Sequence, residues 1–393
     1  MAFDPQRAMP YARELSFPRR VGTDGERRAL SLIRSRLESF GYQVETQPFE
    51  ASTGLELLLA LGLMVLQVQA LLLLWSWARP VNSAGLILGF VFLLTLALPA
   101  VLDGKLASSL VSLPHEPPPG FGPRVLRRLG RRYPTANLIA RRPAPDGAEL
   151  PNVILVAHWD SKSQALSLSV RTLLVFGAYT AAAVFAMVSV LRMAMPGAAP
   201  LAFVSGLAAV VLSLPVLLMY LVGSGNNSPG AVDNASGAGL LLHLAEHYRS
   251  APANASLTFV FTGAEELGVQ GAAAFVRASQ ADGSLLGAEV INLDGIGADG
   301  PVRCAARRHE PLAYRARIVA ARLGIALGSV WLPGALLDHL PFEAAKANAI
   351  SLVSTGRAAR AAHTPADSAE NLSQSGFSRA GQIVLGLVDF ERD

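Results

Sequence analysis

The stretch Phe261-Thr-Gly-Ala-Glu265-Glu266-Leu-Gly268 decides how the rest of the chain is read. It follows the apolar run 257–260 and precedes a helical spacing of apolar residues that starts near Val269. Two adjacent carboxylates where a buried strand gives way to a helix suit a core poorly, and the carboxyl end of a strand in an open α/β sheet is where ligands usually bind. Taken alone, Glu265 and Glu266 read equally well as solvated acids in a first helical turn, where the macrodipole favours negative charge. Their company separates the two readings.

Working outward, residues 152–157 form an almost wholly apolar run, as a central strand covered on both faces should, and it ends in His158-Trp159-Asp160. Ser228-Pro-Gly-Ala-Val-Asp233-Asn234-Ala-Ser-Gly237 leads into a helical pattern over 240–248, where Asp233 has the look of an N-cap or an Asx turn. Downstream, the strand-like run 288–293 delivers Asp294, a helix is expected over 311–323, and Asp338-His339 with Phe342 precedes a strand over 349–353. His363-Thr-Pro-Ala-Asp367 follows in a loop, and an amphipathic helix over 376–390 comes last. Upstream, 7–40 reads as helical to Gly41, with 42–49 and 135–141 as strands. Strands alternating with helices predict an α/β/α sandwich with a mixed, mostly parallel sheet.

The composition adds a second component. The 393 residues are 51% hydrophobic and only 16% charged, with a mean hydropathy of +0.38, too apolar for an ordinary soluble protein. Runs at 57–78, 84–102, 172–191 and 199–222 are each about the 20 residues that span a hydrocarbon core as a helix. They pair into two transmembrane helical hairpins, turning at 79–82 and 193–197, where Pro and Gly belong. Trp75 and Trp77 suit an interfacial belt, while Gln67 and Gln69 are the polar interruptions in the first run. The expected organisation is therefore the first part of the α/β domain over 1–56, hairpins over 57–102 and 170–222, and the domain continuing over 103–169 and 223–393.

The segment 1–56 is charged throughout and lacks the short apolar core of a cleavable signal peptide. The single cysteine, Cys304, excludes an internal disulfide. A formal charge of +4 is too weak and dispersed to argue for nucleic acid. Lys105, Lys162 and Arg171 on the domain side nearly balance Arg79 and Arg192 at the hairpin tips, so the positive-inside rule does not set the orientation. The basic segment 124–132, suited to a solvated helix or to anionic lipid heads, and the missing signal peptide favour a cytoplasmic domain on a bacterial-type inner membrane.

Five potential ligands, His158, Asp233, Glu266, Asp294 and His363, each follow a strand or precede a helix, with Glu265 spare beside them. Imidazole and carboxylate without thiolate suit zinc, or less tightly cobalt or manganese. Five ligands are too many for one catalytic zinc, but right for two ions about 3.5 to 4 Å apart that share a bridging carboxylate. Asp160 is expected to accept the spare imidazole N–H of His158, and Asp367 to steady the His363 loop.

His158-Trp-Asp160, Val232-Asp-Asn-Ala-Ser-Gly237, Gly263-Ala-Glu-Glu-Leu-Gly268, Asn292-Leu-Asp294 and His363-Thr-Pro-Ala-Asp367 together resemble, in the same order, the motifs of the di-zinc aminopeptidases of metallopeptidase family 28, a family with leucyl aminopeptidase, aminopeptidase Y and, more distantly, glutaminyl cyclase among its members. Phe17-Pro-Arg-Arg-Val-Gly22 and Asp338-His339 extend the likeness over the whole non-hairpin part. The resemblance implies that His158 and Asp294 hold one zinc, that Glu266 and His363 hold the other, that Asp233 bridges them, and that Glu265 is the general base. Two departures stand out: Asn348 where a glycine is usual, and about seventy residues of hairpin between Asp160 and Asp233 where other members have a short loop. The expectation is a membrane-anchored zinc aminopeptidase acting on peptides. Its competitors are a single-zinc acyltransferase of glutaminyl-cyclase type and a membrane scaffold or transport protein with a degenerate peptidase domain.

Overall fold

The central strands carry apolar side chains on both faces because both faces are covered. Along Asn152–His158, Val153, Leu155 and Ala157 enter one core while Ile154 and Val156 enter the other. Along Ser256–Thr262, Leu257, Phe259 and Phe261 pack opposite Val260 in the same alternation, as the two-residue strand period dictates. This computed structural model describes residues 4–77, 130–143, 150–195, 198–219, 223–332 and 335–390, with positions 87, 91 and 94 in addition.

Eight strands form one mixed sheet. In chain order they are β1 (Val44–Ser52), β2 (Arg132–Arg142), β3 (Asn152–His158), β4 (Ser256–Thr262), β5 (Glu289–Asp294), β6 (Val302–Ala305), β7 (Gly328–Ser329) and β8 (Asn348–Ser354). Their spatial order is β1-β2-β4-β3-β5-β8-β6-β7. The four central strands, β4, β3, β5 and β8, run parallel, with His158 opposite Thr262 and Asp294 opposite Val353. Antiparallel pairs flank them, β1 and β2 on one side and β6 against β8 on the other. Helices Pro5–Glu14, Ser236–Tyr248, Pro311–Arg322 and Gln374–Val388 pack on the Phe259 face, and Gln270–Ala281 with His339–Ala344 on the Val260 face. The mixed α/β sheet is the predicted class.

Several expectations are corrected. The single helix over 7–40 is two, Pro5–Glu14 and Asp24–Ser39. Pro18 disfavours helical backbone at the residue before it, and Arg19, fully buried, needs an irregular segment to find its acceptors. Asp294 closes β5 instead of lying beyond it. The short strands β6 and β7 were not anticipated, because four and two residues are too few to show a period.

The chain divides into two compact units: 1–53 with 103–163 and 225–393, and 54–102 with 164–224. Within the second, helices Gly54–Trp77, Leu168–Ala194 and Ala199–Met219 are described, and they bury a cluster of mostly small residues, Ala70, Ala178, Ala181, Ala182, Ala208 and Ala209 with Leu66 and Phe185. Small side chains let apolar helices approach closely. Arg192 donates to Ser205 Oγ at 2.9 Å, tying Leu168–Ala194 to Ala199–Met219. The expectation of four crossings is reduced: among the described residues two stretches, Gly54–Leu72 and Ser169–Ala194, are long and apolar enough, and Ala199–Val211 is shorter. The turn at 79–82, nearly all of the run 84–102 and residues 124–129 of the basic segment lie outside the described residues, as do Pro196 and Gly197 of the second turn.

Candidate metal centre

The carboxyl edge of the parallel centre gathers the candidate side chains. His158 ends β3, Asp294 ends β5, and Glu265 and Glu266 follow β4 through Gly263 and Ala264. Ala264 takes a left-handed φ of 57°, as does His363 at 64°. Such backbone in a residue with a Cβ costs on the order of 1–2 kcal/mol and persists where surrounding structure imposes it. Part of that imposition is visible: the Asn137 side chain bonds the Gly263 N–H at 3.0 Å and the Gly271 carbonyl at 2.9 Å, clamping the turn to the next helix. A Cβ on Gly271 would lie 2.2 Å from the Gly263 carbonyl oxygen, which is why the second residue of that helix, Gln270–Ala281, is glycine.

Asp233 lies at the middle of the group. Its Oδ1 is 3.3 Å from His158 Nε2 and its Oδ2 is 3.0 Å from His363 Nε2, one carboxylate oxygen for each imidazole. His158 Nε2 is also 3.8 Å from Asp294 Oδ1, and His363 Nε2 is 3.2 Å from Glu266 Oε2. Two groups of potential ligands result, His158 with Glu265 and Asp294, and Asp233 with Glu266 and His363, each with its donor atoms within 4.8 Å of one another. All five expected ligands and Glu265 are therefore brought together.

Asp160 and Asp367 do more than was expected of them. His158 Nδ1–H donates to the Asp160 backbone carbonyl at 3.2 Å, with the carboxylate at 3.6 Å, and this fixes the tautomer that leaves Nε2 as the acceptor facing the group. The Asp160 carboxylate instead accepts from the backbone N–H of Glu265 at 3.2 Å and of Glu266 at 3.3 Å. Asp367 accepts from Val232 N–H at 2.8 Å and Asp233 N–H at 3.1 Å, so it joins the His363 loop to the Asp233 segment.

Sequence reasoning missed three contributors. Arg19 is buried and donates to the carbonyls of Trp159, Leu15, Pro229 at 2.6 Å and Gly230 at 2.8 Å, which locks the backbone just before Asp160 and Asp233. The family likeness of Phe17-Pro-Arg-Arg-Val-Gly22 was the available signal. Lys162 forms an ion pair with Glu266 Oε2 at 2.9 Å, where a charge count had placed it only as a residue near a span. Asp338, fully buried, accepts from Thr262 Oγ1, and burial chiefly pushes its carboxyl up to about 7.

Charge explains what the group can hold. Burial pushes the Glu265 carboxyl well above the usual range, and its acidic neighbours Glu266 and Asp294 add to this against His158. Burial would lower the His363 imidazole, but Glu266 and Asp233 outweigh it and raise it to about 9. Glu266 is held down at about 2 because His363 and Lys162 outweigh the effect of burial. The buried atoms His158 Nε2 and Glu266 Oε1 have no hydrogen-bond partners. Among the described residues, the carboxylates Asp160, Asp233, Glu265, Glu266 and Asp294 outnumber the cationic groups His158, His363, Lys162 and Arg19 that act on them. An excess of buried carboxylate with an orphaned imidazole nitrogen fits a divalent cation of the zinc type.

Residues 214–388 match Peptidase family M28. Aminopeptidase YwaD of Bacillus subtilis (strain 168) is 30% identical over 172 residues, which are 41% of this chain and 37% of that protein; the likeness thus spans a little over a third of the relative's length. Among solved structures, a glutaminyl cyclase of Fimbriiglobus ruber superposes with a TM-score of 0.56 at 16% identity, covering 100% of this chain and 97% of that one. BSAP, a zinc aminopeptidase from Bacillus subtilis, gives 0.56 at 16% identity, covering 98% and 94%. These structures share the fold.

Proposed function

We propose that the chain is a zinc-dependent aminopeptidase with two metal positions, removing amino-terminal residues from peptides. The observation that carries this is Asp233, whose two carboxylate oxygens each face a different imidazole, as a bridging ligand requires. His158 and Asp294 would hold one ion and Glu266 and His363 the other, with Asp233 shared. When bound, the zinc pair supplies Lewis acidity and a hydroxide-like water near neutral pH. Glu265 takes the proton of the attacking water and returns it to the leaving amine, and its raised affinity for protons suits a group that must both accept and donate. Asp160 holds that glutamate through its backbone N–H. The carboxylate-rich surroundings favour a substrate that arrives with a free, cationic amino terminus.

We further infer an integral membrane protein with two hairpins, 57–102 and 170–222, interrupting one peptidase domain made of 1–56, 103–169 and 223–393, with that domain on the cytoplasmic side of an inner membrane. The two long apolar helices support the hairpins. A cyclase reading has the equal fold likeness to a glutaminyl cyclase in its favour.

One assay separates the readings. The full chain, purified in detergent and loaded with zinc, is given a leucine arylamide, its N-acetylated counterpart and a peptide beginning with glutamine. Of the two arylamides the proposal expects cleavage of the unblocked one only, lost on chelation and restored by zinc. Equal cleavage of the blocked compound, or ammonia release from the glutamine peptide without chain shortening, contradicts it.

A further inference from the structure

Lys162 lies two residues beyond Asp160, and its ammonium is fixed at both ends of one residue: 2.9 Å from Glu266 Oε2 and 3.1 Å from the Glu266 backbone carbonyl. Oε2 is the same oxygen that lies 3.2 Å from His363 Nε2. The lysine backbone has little freedom to withdraw. Before it, Ser161 Oγ accepts from Arg19 N–H at 3.2 Å; after it, Ser163 exchanges two backbone hydrogen bonds with Gly225 and its Oγ accepts from Asn227 N–H, all at 2.9 Å. The side chain is 18% exposed, so water screens the pair only in part. Around His158, Glu265 and Asp294 the described residues place no Lys or Arg in an ion pair.

We propose that Lys162 makes the Glu266/His363 half the weaker of the two metal positions, the one that fills last and empties first. A cation entering there must share Oε2 with an ammonium already bonded to it and suffer the repulsion of a fixed positive charge a few ångströms away. In the His158/Asp294 half, among the described residues, no ammonium is bonded to a ligand oxygen. Lysine suits this task better than arginine, because a compact ammonium concentrates its charge on one oxygen. The inference rests on the two-metal reading above and concerns the difference between its two positions.

The test measures metal, not turnover. The full chain and its Lys162→Met and Lys162→Gln variants are equilibrated with zinc against a competing chelator, and the two stepwise affinities are read by bound metal per chain. Groups next to a metal ligand typically shift affinity by roughly tenfold to hundredfold. The expected result is two well-separated affinities in the unaltered chain, with the weaker one tightened by about that factor in both variants and the stronger one unchanged. Lys162→Arg keeps the charge and should keep the gap. The unchanged stronger affinity, together with the thermal transition of the metal-free protein, reports that the variants fold. If both affinities stay where they were, or the weaker one falls further, the ammonium organises Glu266 instead of competing for it and the inference is wrong. An unaltered chain that never takes up a second zinc would overturn the two-metal reading as well, and its stoichiometry tells that outcome from the first.

Discussion

The two halves of the proposed metal centre use similar side-chain types on different supports. His158 and Asp294 end two adjacent parallel strands, where His158 is still paired with Thr262 and Asp294 with Val353; Glu265 lies three residues past the end of β4, and all three are buried. Asp233 and His363 come from loops, and their side chains are 17% and 19% exposed. What holds the second half is a set of polar contacts, Asp367 on two amides and Lys162 on Glu266. Strand ends give a site precision through the fold itself; loops give it through individual side chains, and those can be removed one at a time.

The largest expected effect asks on which side of that division Glu265 belongs. It clusters with His158 and Asp294 closely enough to be a ligand. As general base, Glu265→Gln should lower hydrolysis of an amino-acid arylamide by roughly a hundredfold to ten-thousandfold while both zinc ions stay bound. Loss of a zinc along with activity would move it into the ligand set.

Removing a support of the loop half should do less and act on one side only. Asp367→Asn leaves one of two amides poorly satisfied and should weaken zinc at the Asp233/His363 position by about tenfold to hundredfold, sparing the tighter ion. Competition with a chelator would show it, and equal weakening of both ions would break the division.

A smaller, graded effect comes from pH. In the metal-free protein the His363 imidazole holds its proton up to about 9. Below that pH the ion must displace the proton, so affinity at this position should rise by about tenfold per unit as pH increases toward 9 and then level off. Proton release on zinc addition, followed in a weakly buffered solution at neutral pH, measures this. Zinc uptake at the loop half with no proton released would count against His363 as a ligand.

Much of the strand half was legible in the sequence. An apolar run that stops at His158 or at Asp294 announces a strand end, and the strand end is where an α/β sheet binds ligands. Glu265 and Glu266 were found by the same signal. The loop half was legible only as residues: nothing in His363-Thr-Pro-Ala-Asp367 shows that His363 adopts left-handed backbone or that Asp367 reaches the amides of Val232 and Asp233, because those contacts join positions far apart in the chain. Lys162 was misread for the same reason, since a charge beside a span counts as a topology signal until its partner is known. The helix expected over 7–40 failed at Phe17-Pro18-Arg19, where a buried guanidinium with five backbone carbonyls as acceptors overrides helical spacing. β6 and β7 have too few residues to carry any period.

The central claim is that Asp233 joins two metal positions into one centre. It is tested most directly by the zinc bound per chain after equilibrium dialysis of the full protein beside its Asp233→Ala variant. The account predicts two zinc ions in the unaltered chain and loss of the weaker, with marked loosening of the other, in the variant. One zinc in the unaltered chain, or two retained after Asp233→Ala, would contradict it.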